Sequence, residues 1–175
     1  MRGHINIALC VLALSEAPAQ DSPLIIHGSI KEHLTDTRPS KLIVQARDLE
    51  DPANIVSADV SDRAKYVLVL NRISKYSISY QSPGFVARHI TIDMHGPSAT
   101  EWSNGFDIEI DLTLLRPVSD EHYDILDEPM ARCAFDSSAR EFRWDLEYSE
   151  ALRKKILPLF EDYKRRSNMY MKKGR

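Results

Sequence analysis

The chain has 175 residues, of which 43% are hydrophobic and 28% are charged, and its formal net charge is −3. This length suits one domain with a hydrophobic core, and the composition is that of a globular protein rather than a disordered one. The weakly acidic balance argues against nucleic acid as a partner, because phosphate backbones are bound by strongly basic surfaces.

Residues 1–19 contain the parts of an export signal. The basic start MRGH precedes the apolar run INIALCVLAL, and APA at residues 17–19 supplies the small residues that signal peptidase requires. The apolar run is about ten residues long, roughly half of what a membrane-spanning helix needs. A buried N-terminal strand or helix is the alternative, but the small-residue site favours a signal peptide. We therefore predict export to the periplasm, the outer-membrane surface or the extracellular space, with no transmembrane segment.

The two cysteines of the chain have different expected fates. Cleavage after Ala19 removes Cys10 and leaves Cys133, which then has no partner for an internal disulfide. In the segment MARCAFD, Cys133 alternates onto the same strand face as Phe135. We predict a buried, unreactive thiol at this position.

From residue 23 onward, apolar or alternating segments are separated by turn residues, which is typical of short strands. The run KYVLVL is continuously apolar and predicts a strand buried on both faces. Pro83-Gly84 predicts a hairpin, and residues 137–139 predict another between the last two segments. The predicted strands cover residues 23–30, 41–47, 54–60, 65–70, 75–82, 85–94, 105–115, 130–136 and 141–148. With little helix between them, these strands favour an antiparallel β-sandwich.

The C-terminal region has a helical rather than a strand pattern. Apolar residues recur at spacings of three and four and form one stripe, which consists of Leu152, Ile156, Leu159, Phe160 and Tyr163. We predict an amphipathic helix docked on the sandwich. Pro158 lies inside the stripe and predicts a kink or a restart, because proline lacks the helical N–H and clashes with the preceding turn.

The positive charge of the chain is concentrated at its end. Residues 150–175 contain nine Lys or Arg and three Asp or Glu, a local balance of +6, so residues 1–149 carry −9 of the total of −3. One interpretation is a modest attraction between this tail and the acidic body. The other is a contact for anionic lipid headgroups or an acidic partner, with Lys164, Arg165 and Arg166 as the candidate contact residues.

Three carboxylates alternate along the predicted strand 105–115, at Asp107, Glu109 and Asp111. Residues two apart on a strand are separated by roughly 6.6 Å, which is too far for these three alone to chelate one ion. We interpret them as the solvated face of a strand. We predict no metal site and no cofactor.

Histidines and acids from distant positions are the remaining candidates for catalysis. His27 and His33 are six residues apart, as are His89 and His95, so neither pair reaches one metal ion from a straight strand. No nucleophile elbow or phosphate-binding glycine loop is present in the sequence. We predict no catalytic residues. The alternative is a hydrolase site in which some of His27, His89, His95, Asp93 and Asp107 converge.

Most aromatic residues have the spacing of core-facing strand positions. Trp102 differs, because it lies in the polar stretch TEWSNG within the segment 95–105, which we predict to be a loop. Trp102 is therefore the candidate ligand-binding residue, with an exposed side chain expected.

The order of motifs over residues 24–94 resembles the carboxypeptidase-regulatory-like domain, which has a transthyretin-like fold. The residues that carry the resemblance are Gly28, Ile30, Leu42 to Val44, Tyr66 to Leu70, Tyr76, Ile78, Tyr80, Gly84, Phe85, Ile90 and Ile92. The resemblance implies a Greek-key sandwich with a non-catalytic accessory or binding role, and it transfers no catalytic residue. The family usually has Asp-Gly before the strand that begins here at Tyr66. This chain has Asp62 to Lys65 instead, so we expect a wider loop.

These observations predict a mainly β fold, an antiparallel Greek-key β-sandwich with a C-terminal amphipathic helix. The expected organisation is a signal peptide at 1–19, the sandwich at 20–94, a β extension packed on it at 95–148, and a basic helix and tail at 149–175. The expected function is an exported, non-catalytic binding or scaffolding module of the bacterial cell envelope. Its expected partner is an envelope protein or a glycan.

Overall fold

The computed structural model describes residues 23–33, 35, 37–117 and 124–173, with the backbone alone at 124 and 167–173. The predicted signal peptide at 1–19 and Cys10 lie outside the described residues. Eleven strands are described: β1 (Leu24–Glu32), β2 (Ile43–Asp48), β3 (Ile55–Ser57), β4 (Asp59–Val60), β5 (Lys65–Leu70), β6 (Lys75–Gln81), β7 (Arg88–Asp93), β8 (Phe106–Glu109), β9 (Leu112–Leu114), β10 (Arg132–Asp136) and β11 (Glu141–Trp144). The helices are α1 (Ala99–Ser103), a 3-10 turn at Asp124–Asp127, and α2 (Leu146–Lys173).

The strands form two sheets, so the predicted mainly β sandwich is confirmed. The smaller sheet has the order β4-β5-β1-β8, with β9 pairing further along β1. The larger sheet has the order β11-β10-β7-β6-β2-β3. Strands from the segment 95–148 thus enter both sheets beside strands from the segment 24–94.

Along each strand, every second side chain points into the space between the two sheets, and these side chains form the core. Tyr66 and Tyr80 lie at its centre, with their rings edge to face at 5.5 Å and their hydroxyl oxygens 3.1 Å apart. The prediction that the 65–70 strand is buried on both faces is wrong. Val67 and Val69 are 45% and 38% exposed, because none of the described residues forms a second layer over the outer face of the smaller sheet.

The sandwich is mostly antiparallel, as predicted, but three pairs of the described strands are parallel. β8 and β9 both pair with β1 in parallel, and β10 pairs with β7 in parallel. β8 and β10 follow long connections rather than hairpin turns, and such connections permit parallel neighbours, whereas β9 continues along β1 after a two-residue interruption that follows β8. Side-chain alternation carries no information about strand direction. The Greek-key connectivity stays a prediction.

Both predicted hairpins are confirmed. β6 pairs antiparallel with β7, and β10 pairs antiparallel with β11. In the first hairpin Gly84 adopts a φ of +79°, a backbone conformation that glycine reaches without steric cost. The strand after this turn begins at Arg88 rather than at residue 85.

The predicted single strand 105–115 is interrupted at Ile110 and Asp111, between β8 and β9. A Cβ on Gly28 would lie 2.0 Å from the carbonyl oxygen of Ile110, so only glycine fits at this crossing. That carbonyl accepts a hydrogen bond of 2.9 Å from the hydroxyl of Tyr66. The close approach of the two backbones therefore allows a core tyrosine to bond to the interruption.

The loop before β5 is a short turn of three residues, 62–64, closed by backbone hydrogen bonds. The amide of Ser61 donates to the carbonyl of Lys65 at 2.8 Å, and the amide of Ala64 donates to the carbonyl of Ser61 at 3.0 Å. Ala64 adopts a φ of 53°, which is unusual for a residue with a side chain. Alanine thus occupies the left-handed position that glycine usually takes.

α2 confirms the predicted C-terminal helix. The carboxylate of Asp145 accepts a hydrogen bond of 2.8 Å from the amide of Tyr148 and caps the helix. Leu152, Ile156 and Tyr163 are buried. We predicted a kink or a restart at Pro158; the helix continues through this exposed proline to Lys173, so there is no restart, and the kink stays a prediction. Among the described residues, no helix has the length and apolarity needed to cross a bilayer.

Candidate functional site

The histidines and acids of the catalytic alternative lie in separate places. Nε2 of His27 is 2.7 Å from Oδ1 of Asp107 on the outer face of the smaller sheet. Nδ1 of His95 is 2.8 Å from Oδ1 of Asp93 at the end of β7 in the larger sheet. Because stacked sheets are about 10 Å apart and both pairs point outward, the two pairs do not share a site.

His89 lies on the outward side of β7, four residues before Asp93 and therefore about 13 Å along the strand. Burial lowers the pKa of His89, the positive charge of Arg88 lowers it further, and Asp127 opposes the shift. Across the part of the chain that the structure describes, no group of three or more His, Cys, Asp or Glu side chains is placed to hold a metal ion.

The three alternating carboxylates have different roles. Glu109 is exposed and Asp107 pairs with His27, as described above. Asp111 accepts hydrogen bonds from the amide and the hydroxyl of Ser29 at 2.7 and 2.8 Å, and these bonds lower its pKa. The carboxylate of Asp111 thus satisfies a backbone donor of β1 at the interruption between β8 and β9. The interpretation of these carboxylates as a solvated strand face therefore holds for Glu109 but not for Asp111.

Trp102 is buried, so the prediction that its side chain is exposed is wrong. Its side chain is 5% exposed and packs edge to face on Phe106, with ring centroids 5.0 Å apart. The ring of Phe142 lies 6.0 Å from Trp102 and 5.0 Å from Phe106, so the three rings form one cluster. Polar neighbours in the sequence concealed a residue that belongs to the core.

The segment around Trp102 is the helix α1 rather than a loop. Ser98 accepts a hydrogen bond from the amide of Glu101, and the Glu101 carboxylate accepts one from the amide of Ser98 at 2.8 Å. This reciprocal capping box is a signal that the sequence Ser-Ala-Thr-Glu already contained. One helical turn then directs Trp102 inward.

The three predicted contact residues of the basic tail have different surroundings on α2. Arg165 and Arg166 both pair with Asp162 one turn earlier on α2, the latter through Nε at 2.6 Å. These pairs neutralise part of the local charge. Lys164 instead lines a cavity beside the sandwich.

Cys133 is buried, as the sequence predicted. Its burial raises the pKa of the thiol to about 12, so the thiol stays protonated at neutral pH. A protonated buried thiol is a poor nucleophile and a poor metal ligand.

A groove of about 480 Å³ lies on the outer face of the larger sheet, along β7, β10 and β11. Thr91 and Ala134 project outward from β7 and β10 and form its floor, as their exposure and pairing register show. Its charged lining consists of Lys75, Asp93, Arg132, Asp136, Arg143 and Asp145.

The charged groups of this groove are held in place by local contacts. Lys75 lies opposite Asp93 in the β6–β7 register. The guanidinium of Arg132 stacks at 3.9 Å on the ring of Tyr148. Hydrogen bonds from Ser138 lower the pKa of Asp136, so its carboxylate stays charged. Arg132 and Asp136 are thus a donor and an acceptor of the groove whose positions are fixed by local contacts.

A cavity of about 360 Å³ lies between α2 and the end of the sandwich. It contains Arg88, which is 5% exposed and has no hydrogen-bond partner at Nε or Nη1 among the described residues. The ring of His33 packs edge to face on Phe160 at 5.1 Å beside it. Sequence reasoning missed Arg88, although alternation with Ile90 and Ile92 places it on the inward face of β7.

Comparison of the sequence with models of protein families found no match, and comparison with curated proteins found none either.

Proposed function

We propose that the protein is an exported, non-catalytic binding module of the bacterial cell envelope, of the carboxypeptidase-regulatory-like type, and that its ligand is an envelope glycan. The observation that carries the proposal is the groove on the outer face of the larger sheet. The signal-peptide pattern of residues 1–19 supports export, and the order of motifs over residues 24–94 supports the domain type.

The size of the groove favours a small extended ligand over a folded protein. Its volume of about 480 Å³ lies in the range of small-molecule sites. A stable protein–protein interface instead requires about 800 Å² of contact on each partner. A few sugar units fit such a groove, whereas a folded partner would cover much more of the sheet.

The chemistry of the groove matches hydroxyl-rich ligands. Three cationic side chains donate hydrogen bonds and three carboxylates accept them within one concave surface. Each sugar hydroxyl is both a donor and an acceptor, so alternating donors and acceptors recognise it from both sides. The balanced charge also suits a ligand without a large net charge.

Non-catalytic binding is supported by the distribution of titratable groups. Asp136 accepts hydrogen bonds in a turn, Asp145 caps α2, and Asp93 pairs with His95. Hydrogen bonds lower the pKa of Asp136 and of Asp93, whereas a general acid needs a raised pKa.

Cosedimentation with isolated peptidoglycan tests the proposal. Thr91→Arg places a large side chain on the floor of the groove and is expected to weaken binding at least tenfold. Ser57→Arg is the matched control, because Ser57 is an exposed residue on the edge strand β3 outside the groove. Glycan strands stripped of their peptides should bind as well as the intact material.

Three results would contradict the proposal. Equal binding of the two variants would remove the groove as the site. Binding that disappears when the peptides are stripped would identify a peptide ligand rather than a glycan. Release of new reducing ends from the glycan strands would favour the hydrolase alternative.

A further inference from the structure

Arg88 combines deep burial with missing partners. It is the first residue of β7, and its side chain shares the inward face with Ile90 and Ile92. Nε and Nη1 are fully buried and, within the described part of the chain, bond to nothing. Arginine keeps its proton under all ordinary conditions, so burial does not remove the charge. A buried cation without a partner is unfavourable, and a ligand with negative charge would compensate it.

The cavity around Arg88 has two chemically different sides. Arg153 and Lys164 of α2 add positive charge, and Glu161 is the one acid among the described residues that line it. The apolar side is formed mainly by Leu152, Ile156 and Phe160 of the same helix, with Met130 from the sandwich side. Positive charge and an apolar wall within about 360 Å³ suit one amphiphilic molecule.

We infer that this cavity binds an amphiphilic carboxylate, with its head group at Arg88 and its hydrocarbon body along the apolar side of α2. The planar guanidinium matches the geometry of a carboxylate better than a point charge does. A single buried cation calls for a single negative charge at that depth. The inference concerns a different surface from the glycan groove and does not depend on it.

Calorimetric titration of the full chain with decanoate, kept below its micelle-forming concentration, tests the inference. Decanoate is expected to bind saturably. Decanol has the same tail without charge, and acetate has the charge without the tail, so each is expected to bind at least tenfold more weakly. Decyl phosphate distinguishes the head group, and decyltrimethylammonium, with the opposite charge, is expected not to bind.

Arg88→Met preserves the length of the side chain and removes its charge. This variant is expected to lose decanoate affinity at least tenfold, while its thermal midpoint without ligand rises. Arg47→Met is the matched control, since Arg47 is exposed on β2 and does not line the cavity, and it should change neither quantity. A residue that only supported the fold would lower the midpoint when replaced.

Several results would overturn the inference: equal binding of decanol and decanoate, unchanged affinity in Arg88→Met, or no binding of decanoate. If Arg88→Met does not fold, Arg88→Lys should fold and retain part of the affinity, and failure of both variants would show a structural role instead. Tighter binding of decyl phosphate than of decanoate would show that the cavity selects a phosphate head group rather than a carboxylate.

Internal pairing is tested separately. Residues 118–123 lie outside the described residues and include Asp120 and Glu121. The double variant Asp120→Asn/Glu121→Gln is expected to leave the midpoint and decanoate binding unchanged. A lower midpoint together with tighter decanoate binding would show that the chain's own carboxylates occupy Arg88, and the inference would fail.

Discussion

Among the described residues, two charged side chains are buried in the larger sheet, Asp48 and Arg88, and their surroundings are opposite. Asp48 is 0% exposed, and Oδ1 accepts hydrogen bonds from Ser74 and from the amides of Glu50 and Asp51. Arg88 is nearly as buried and has no partner for two of its nitrogens among the described residues. A satisfied buried charge indicates a structural role, whereas an unsatisfied one indicates a site.

The pKa values reflect this difference. Burial alone would raise the pKa of Asp48, but hydrogen bonds from Ser74, from two backbone amides and from Asn54 outweigh it and lower the value to about 2. For Arg88, burial lowers the pKa, and no contact within the described part of the chain opposes the shift. The local structure therefore stabilises the first charge and not the second.

The largest effect is expected for Asp48→Ala. Removing the carboxylate leaves the hydroxyl of Ser74 and the amides of Glu50 and Asp51 without acceptors. We expect a loss of about 3–5 kcal/mol in the free energy of unfolding, measured by urea denaturation. Ser77→Ala, on the outward side of β6, is the control and should change little. A loss below about 1 kcal/mol would mean that Asp48 is not the centre of this network.

Lowering the pH should protonate Asp48 and destabilise the protein through the same network, by less than Asp48→Ala does. The ordinary pKa of 3.8 applies to Asp48 in the unfolded chain, and the folded value is about 2. Between these values the unfolded chain binds a proton that the folded chain does not, so stability falls as the pH falls. The stabilisation is complete above about pH 5, amounts to about 2 kcal/mol, and is lost by about pH 2.

Comparison of the acid unfolding curves of the native chain and Asp48→Asn measures this contribution. The asparagine variant should be less stable at pH 7 and should lose less stability between pH 5 and 2. Parallel curves for the two proteins would show that other carboxylates dominate the acid response.

Arg88→Met should change the free energy of unfolding in the opposite direction from Asp48→Ala. Without ligand, removal of the uncompensated charge is expected to increase the free energy of unfolding by about 1–2 kcal/mol. For a chain of this length that corresponds to a rise of roughly 3–6 °C in the melting temperature. Calorimetry of the ligand-free protein measures it. A decrease of that size in the melting temperature would show that Arg88, like Asp48, is a charge that stabilises the fold.

The smallest effect is expected for Arg72→Met. Nη1 of Arg72 is 3.6 Å from Oδ2 of Asp48 and 3.0 Å from Oδ2 of Asp51, but its side chain is half exposed. Exposed ion pairs contribute about 0–1 kcal/mol, so the free energy of unfolding should fall by less than that amount in physiological salt. A loss comparable to that of Asp48→Ala would mean that the ion pair, rather than the hydrogen bonds, satisfies Asp48.

Predictions from local pattern succeeded where the physical cause is local. Alternation identified both hairpins, and it identified the burial of Cys133. The apolar spacing of three and four identified α2. Each of these features depends on residues within a few positions of one another, so a short window of sequence contains the needed information.

The candidate sites were largely hidden from such reasoning. Lys164 was selected for its charge, and the structure places it in the lining of the same cavity as Arg88. The inward position of Arg88 becomes informative only once the sandwich and α2 are seen to enclose it. Trp102 was selected for polar neighbours, yet contact with Phe106 and Phe142 buries it. The groove requires β10 to lie beside β7, a parallel pairing between segments about 40 residues apart in the sequence.

The sequence by itself determined which segments become strands, which faces are apolar, and that a helix follows the sheets, because these depend on side-chain periodicity. Only the tertiary structure decided the parallel pairing of β8 and β9 with β1, the fit of Gly28 against Ile110, and the enclosure of Arg88. The physical reason is distance along the chain. Burial and charge compensation are set by neighbours from other segments, and no local pattern specifies which segment supplies them.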